Sequence, residues 1–269
     1  MTTQATAEVG VIGGTGFYAF LDDTTEVRVD TPYGEPSDPV TVGTVAGRTV
    51  AFVPRHGRDH RYPPHRIPAR ANLWALRSLG VRQVLAPSAV GSLRPDVGPG
   101  RLVVPDQLVD RTSGRPSTFY ENGAVHVSFA DPYCPEGRKA ALTVAGEAGR
   151  DAVDGGALVV VEGPRFSTRA ESQWYAAQGW SIVGMTALPE ATLARELALC
   201  YTTIALVTDL DAGIEAGQGV THAEVLRVFE QNVVALRELV ARIAARLPLD
   251  RACPCADVLD GIRLPFELP

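Results

Sequence analysis

The run Thr202-Thr-Ile-Ala-Leu-Val-Thr208 constrains this chain more than any other stretch. It is short, β-branched and apolar without alternation, which fits a strand buried on both faces. Strands of that kind belong to α/β sheets covered by helices on both sides. The run extends from Tyr201 and ends in two carboxylates, Asp209 and Asp211. A second apolar run, Ser181-Ile-Val183, ends in Gly184-Met-Thr186. Between them, Leu188 to Leu199 is predicted to be a helix opened by Pro189 and Glu190. In open α/β sheets ligands bind beyond the carboxyl ends of the strands, so these two polar ends are the first places to look for a site.

Other strand ends have the same character. Glu8 to Ile12 runs into Gly13-Gly-Thr-Gly16. Such a turn can present backbone N–H groups and the Thr15 hydroxyl to an anion, or can be a tight connection with no ligand. It lacks the spacing of the dinucleotide fingerprint. Val40–Val45 and Arg48–Val53 read as a hairpin ending in Pro54-Arg-His-Gly57, with Arg58, His60, Arg61, His65 and Arg66 following. So basic a loop in an acidic protein asks for an anionic partner. Arg55 and His56, at the strand's end, are weighted toward function and the later residues toward salt bridges. Ala69 to Leu79 is predicted as a helix stopped by Gly80, and Val81 to Ala86 as a strand leaving through Pro87-Ser-Ala-Val-Gly-Ser-Leu93. Ser88 is an anion donor by position.

Arg101 to Val109 reads as a strand, and Arg111 to Asp131 as a long irregular segment suited to a lid or an interface. Cys134 to Ala148 is predicted helical and Gly156 to Glu162 a strand, followed by a polar loop into a helix from Ser167 to Gln178. Phe166 in that loop can stack on a planar ligand or sit in the core. A Gly-rich loop, 212–219, precedes Thr221, which caps a helix from His222 to about Leu247. The tail, about 250–269, has apolar residues that should pack it onto the rest.

The chain has 269 residues, 45% apolar, with net charge −6. That is enough for a full core and, with no linker or repeat, favours one α/β domain over residues 1–269. The acidic balance argues against nucleic-acid or anionic-membrane partners. No apolar run reaches spanning length and Met1 to Val9 is too polar for a signal peptide, so a cytoplasmic location is expected. The four cysteines lack the Cys-x-x-Cys or His spacing usual for zinc, so no metal is expected. Cys200 reads as a small core residue. Cys253-Pro-Cys255 is either two free thiols, as in a reducing cytosol, or a strained local disulfide.

The strand-end motifs Gly13-Gly-Thr-Gly16, Pro54-Arg-His-Gly57, Ser88-Ala-Val-Gly-Ser-Leu93, Asp110-Arg-Thr112, Glu162-Gly-Pro-Arg-Phe-Ser-Thr-Arg-Ala-Glu171, Gly184-Met-Thr186 and Thr208-Asp-Leu-Asp211 occur in this order. Together, over about residues 8 to 240, they resemble the trimeric purine nucleoside phosphorylases, and among them the methylthioadenosine phosphorylase subfamily. The resemblance implies a single-domain mixed sheet flanked by helices. It implies cleavage of a purine nucleoside by orthophosphate to free purine and ribose 1-phosphate. No cofactor is implied. By position it assigns Thr15, Arg55, His56, Ser88, Ala89 and Thr186 to phosphate, Met185 to the ribose, and Phe166 to the face of the base. Asp209 and Asp211 would read the purine's N7 and exocyclic edge, and His126 would be lent to a neighbour in a homotrimer or a dimer of trimers.

Those roles suit the chemistry. An oxocarbenium-like transition state is stabilised by a phosphate held in line, and the purine leaves most easily when protonated at N7. Asp209, its pKa raised by burial and by Asp211, is the candidate acid. Taken alone, an Asp-x-Asp pair would instead suggest a metal or a turn. Ser167 and His222 are the specificity candidates. The subfamily carries an apolar residue near the nucleoside 5′ group where this chain has His222, which favours a 5′-hydroxyl unless the His is simply solvated. Val225 and Leu226 keep 5′-thio substrates open. The Asp pair favours 6-aminopurines such as adenosine. Rival readings are a hydrolase, against which the anion cluster speaks, and a nucleoside-binding protein without turnover.

Overall fold

The strand β5 (Gln83–Ser92) organises the sheet because its two edges are used differently. The computed structural model describes residues 6–14, 16, 17, 21–215 and 219–269 and contains an eleven-stranded mixed sheet. One edge of β5 pairs in parallel with β11 (Cys200–Leu210) along its length. The other edge is divided. Gln83–Leu85 pair in parallel with β1 (Val9–Gly13), whereas Gly91 and Ser92 pair antiparallel with β10 (Ile182–Gly184). Among the described residues no strand pairs with 86–90 on that edge. The sheet therefore forks at the middle of β5. Beyond β1 lie β4 (Arg48–Pro54), β3 (Val40–Val45) and β2 (Asp22–Val27). Beyond β10 lie β9 (Ala157–Val161) and β7 (Gln107–Arg111). The outer edge of β11 takes β6 (Leu102–Val104), which pairs with β8 (Ala152–Asp154).

Both faces are covered, as the apolar run of β11 requires. Ala205 and Val207 face a core with Leu73 and Leu76 of α1 (Ala69–Ser78) and Leu193 and Leu197 of α4 (Ala187–Glu196) and its end. Ile204 and Leu206 face the opposite core with Ala141 and Val144 of α2 (Pro135–Glu147) and Leu236, Val240 and Ile243 of α5 (His222–Arg246). A smaller cluster joins Leu93, Val159 and Val183 to Tyr175 of α3 (Arg169–Ala177). This helix opens on a capping box between Thr168 and Glu171, two residues after the predicted start at Ser167.

Several expectations need correction. The strand predicted over Arg101–Val109 is two strands, β6 and β7, separated at Pro105 and joined to different partners. A proline has no N–H for a ladder, which suits a break. The strand predicted to stop at Ala86 continues through Pro87 to Ser92, because the edge that Pro87 cannot serve lies at the fork. The strands β2 and β8 were not expected. Polar, exposed β2 is an edge strand with no apolar pattern to reveal it. The helix predicted from Leu188 begins at Ala187, with Leu188 extended at φ −116°, ψ 136°, as a residue preceding proline prefers.

The segment after β7 is irregular up to α2, as expected, but it is tied down in its middle. Glu196 accepts hydrogen bonds from the Thr118 hydroxyl and the Phe119 amide, both at 2.7 Å. The tail is packed: Phe266 stacks on Tyr120 at 5.4 Å and meets Trp74 at 5.8 Å. No helix among the described residues is long and apolar enough to cross a membrane.

The contact between α2 and β11 depends on a missing side chain. A Cβ on Gly137 would lie 2.0 Å from the Thr202 hydroxyl and 3.1 Å from its Cβ, whereas one on Gly146 in the same helix would meet nothing within 4 Å. Alanine gains about 1 kcal/mol over glycine in a helix, and overpacking costs about 1–3 kcal/mol. Gly146→Ala is expected to raise Tm and Gly137→Ala to lower it in parallel thermal melts.

Candidate active site

The fork opens into a cavity of about 320 Å³. Its wall is built from strand ends: Gly14 after β1, Arg55 and His56 after β4, Ser88 and Ala89 inside β5, Met185 and Thr186 after β10, and Asp209 and Asp211 at the end of β11. Phe166 and Ser167 come from the loop before α3, and His222, Val225, Leu226 and Phe229 from the start of α5. The structure thus brings together every residue singled out from the sequence except two. Thr15 lies outside the described residues. His126 is exposed and does not line the cavity of its own chain.

One end of the cavity is a set of donors. Arg55 is buried and bidentate to Glu190, with Nε to Oε1 at 2.6 Å and Nη2 to Oε2 at 3.1 Å, and Nη1 donates to the Pro87 carbonyl at 3.0 Å. Burial opposes the charge on Arg55, but Glu190 outweighs it and holds the pKa above its ordinary value. Three of the five guanidinium N–H groups are used this way, and the Tyr201 hydroxyl engages the same group. The Ser88 hydroxyl is buried with no hydrogen-bond partner, and the Thr186 hydroxyl makes no cap bond to α4. Strand alternation adds a backbone donor. The register that turns the Pro87 carbonyl toward Arg55 turns the Ala89 amide to the same open edge. His56 donates from Nδ1 to the Tyr62 carbonyl at 2.9 Å and stacks on His60 at 5.8 Å. Burial pushes its pKa down, so the neutral ring presents Nε2 as an acceptor.

The other end holds the carboxylates. The pairing of β11 with β5 shifts register between Val207 and Asp209, and this irregularity at Thr208 re-aims the strand's end. Asp209 accepts from the Thr208 hydroxyl at 2.8 Å, and Asp211 from Ser172 at 2.5 Å. Burial raises the Asp209 pKa to about 6, against the Thr208 hydrogen bond and with help from Asp211 and Glu224. Gly91 faces the pair, and a Cβ there would lie 3.0 Å from Asp209 Oδ1. Phe166 is half-buried against the cavity, so it is not a core residue. His222 is exposed at the first turn of α5 and shares the cavity rim with the apolar Val225, Leu226 and Phe229. In the basic loop, Arg58 pairs with Glu26, and Arg61 with Asp59 at 3.2 Å, the salt bridges expected there.

Two residues that hold the site were not singled out. Glu190, read only as a helix opener, is the buried partner of Arg55 and also accepts from the Tyr201 hydroxyl at 2.8 Å. Arg115 commits all its donors to the frame. Nη1 donates to the Met185 and Leu188 carbonyls, Nη2 to those of Val161 and Glu162, and Nε to the Glu162 carboxylate. It stitches the ends of β9 and β10 to the kink of α4. The one available signal for Glu190 was its position: an acid in a helix start that faces an apolar run.

The raised pKa of Asp209 has a stability consequence. The unfolded chain releases this proton at ordinary carboxylate pH, while the folded chain keeps it to about pH 6. The contribution of Asp209 to stability is therefore fullest at low pH and is lost as pH rises through that value. Asp209→Asn is expected to be more stable than the parent at neutral pH, with an advantage that grows by about 1–1.5 kcal/mol between about pH 5 and about pH 8. Denaturant titrations at both pH values check this, and an advantage that shrinks with pH would contradict it.

A family model described as "Phosphorylase superfamily" matches residues 8–245. A purine nucleoside phosphorylase of Streptomyces coelicolor is 62% identical, with 100% of each chain covered. An S-methyl-5′-thioadenosine phosphorylase of Mycolicibacterium smegmatis is 58% identical, covering 97% of this chain and 99% of that one. The crystal structure of a methylthioadenosine phosphorylase from an Antarctic soil metagenomic library superposes with TM-score 0.89 at 40% identity, covering 95% of this chain and 91% of that one. The agreement of sequence, fold and strand-end arrangement identifies the chain as a member of the phosphorylase superfamily.

Proposed function

We propose that this protein is a purine nucleoside phosphorylase: orthophosphate cleaves the N-glycosidic bond of a 6-aminopurine nucleoside such as adenosine, giving free purine and ribose 1-phosphate for purine salvage. The observation that carries the reading is the polarity of one cavity. Uncommitted donors, among them the orphaned Ser88 hydroxyl, stand at one end, and the buried Asp209, its pKa raised to about 6, stands at the other. Membership of the phosphorylase superfamily supports it.

In this reading Arg55, Ser88, Thr186 and the Ala89 amide hold the phosphate, with Thr15 as a further donor. His56 Nε2 accepts a hydrogen bond from the hydroxyl of a monohydrogen phosphate, which keeps its proton. A phosphate oxygen forms a bond to C1′ as the C1′–N9 bond breaks and its electron pair passes into the purine. Asp209 gives its proton to N7, so the base leaves neutral, and solvent reprotonates the carboxylate. Asp211, oriented by Ser172, keeps one oxygen for the 6-amino group. Met185 lines the ribose and Phe166 the base. Orthophosphate is a co-substrate and no cofactor enters the step. His126, outside its own cavity, serves a neighbour's in a trimer or a dimer of trimers in the cytoplasm.

A second substrate reading, S-methyl-5′-thioadenosine, is favoured by the apolar Val225, Leu226 and Phe229 beside His222 and by the relative in Mycolicibacterium smegmatis. An imidazole exchanges a hydrogen bond with a 5′-hydroxyl and loses one against a methylthio group. Replacing His222 by Val should shift the ratio of kcat/KM values toward methylthioadenosine by on the order of 1–3 kcal/mol. An unchanged ratio would make His222 a solvated helix-start residue.

Purine release from adenosine is expected to require orthophosphate. Release with water alone would indicate a hydrolase, and binding without release a non-catalytic protein. Ser88→Ala is expected to raise the KM for phosphate about tenfold with little change in the affinity for free purine, because it removes one hydrogen bond to a charged ligand. Steady-state kinetics with phosphate varied checks this, and an unchanged KM would remove Ser88 from the anion site.

A further inference from the structure

Away from the cavity, four thiols from distant parts of the chain meet at one point. Cys134 precedes α2, Cys200 starts β11, and Cys253 and Cys255 lie in the tail. All four are buried, and their Sγ atoms lie within 4.8 Å of one another, with Cys200 to Cys253 at 3.3 Å. Cys200 is buried and Cys253 and Cys255 are free thiols, as expected, but the expectation did not bring them together. The Cys134 amide donates to the Tyr201 carbonyl at 2.9 Å, which sets Cys134 beside the first residues of β11. The Ala256 amide donates to the Cys253 carbonyl at 3.2 Å, a turn around Pro254 that sends both tail thiols the same way.

We propose that these cysteines form a structural metal site, a four-cysteine centre for zinc that fastens the tail to the edge of the sheet. Zinc–thiolate bonds of about 2.3 Å in a tetrahedron separate the sulfurs by about 3.8 Å, within the span observed here. Four soft donors with no place for a water or substrate make a closed, structural site. The surrounding charge provides a second, independent reason. A zinc tetrathiolate carries two negative charges, and arginines without a carboxylate partner stand near the cluster. Among the described residues, Arg77, Arg82, Arg195 and Arg251 have no carboxylate partner within salt-bridge distance. Arg251 donates to the Ala198 carbonyl at 2.7 Å, two residues before Cys200. Arg82, whose carbonyl accepts from the Cys200 amide, and Arg251 also repel Arg77. This site replaces the expectation of no metal drawn from cysteine spacing. Its ligands come from three regions, and the tail pair is separated by one residue instead of two.

The test uses the full chain purified under reducing conditions, with zinc measured after dialysis against zinc and removal of the unbound ion. One zinc per chain is expected, released when a mercurial thiol reagent titrates the protein, and the denatured, chelator-treated protein should show four free thiols. Cobalt(II) in place of zinc should give the visible bands of a tetrahedral thiolate. Cys255→Ser should lose the metal and melt at lower temperature while retaining the wild-type kcat/KM for adenosine. Absence of zinc after reconstitution overturns the proposal, whether the thiols are free or oxidised to disulfides. So does zinc retained at full stoichiometry in Cys255→Ser. The metal and thiol counts on the wild-type protein decide the matter even if the variant does not fold, and neither count depends on the nature of the substrate.

Discussion

The buried ion pair between Arg55 and Glu190 is the constraint on which the site is built. Removing two charges from water costs several kcal/mol each, and only good geometry with further hydrogen bonds offsets that. Here the pair is bidentate, and the Pro87 carbonyl and the Tyr201 hydroxyl take part. The interaction therefore joins the end of β4, the kinked start of α4, the middle of β5 and the first residues of β11. It also neutralises the guanidinium. What the cavity offers an oxyanion is a set of aimed donors more than a net charge. Deleting either partner would leave a buried charge alone, at a cost of about 3–5 kcal/mol, so a loss of activity on replacing Arg55 would not by itself locate a ligand.

Most of the cavity wall was legible because each strand is an apolar run that stops at a polar or glycine-rich motif. Arg55, Ser88, Met185 and Asp209 all stand where such a run ends or turns polar. Pairings across long stretches of chain were not legible. Nothing near Glu190 says that its partner is 135 residues away, and nothing near Arg115 says that it will saturate itself on four carbonyls and a carboxylate. The cysteines failed for the same reason, since their meeting is a property of the folded edge and not of spacing. The strands β2 and β8 were missed because an edge strand can be polar and short without penalty.

The two ends of the cavity use burial in opposite ways. At Arg55 burial is answered by an opposite charge, and the group stays ionised. At Asp209 it is answered only by a hydroxyl and made worse by Asp211, and the group holds its proton to a higher pH than an ordinary carboxyl. The same desolvation thus yields a fixed cation and a stored acid within one pocket. The acid is held at some expense of fold stability, as is common where a residue is kept for chemistry.

The forked edge of β5 gives the anion an unusual standing. Around Ser88 and Ala89 the sheet has a strand on one side and open space on the other, bounded by β1 and β10 where each turns away. On our assignment of the phosphate site, its oxygens receive the Ala89 amide as a neighbouring strand's carbonyls would. The co-substrate stands in for a missing length of strand and is, while bound, a component of the sheet. Emptying the pocket then reopens a seam in the middle of the fold, and oxyanions of similar size and shape, reactive or not, can close it.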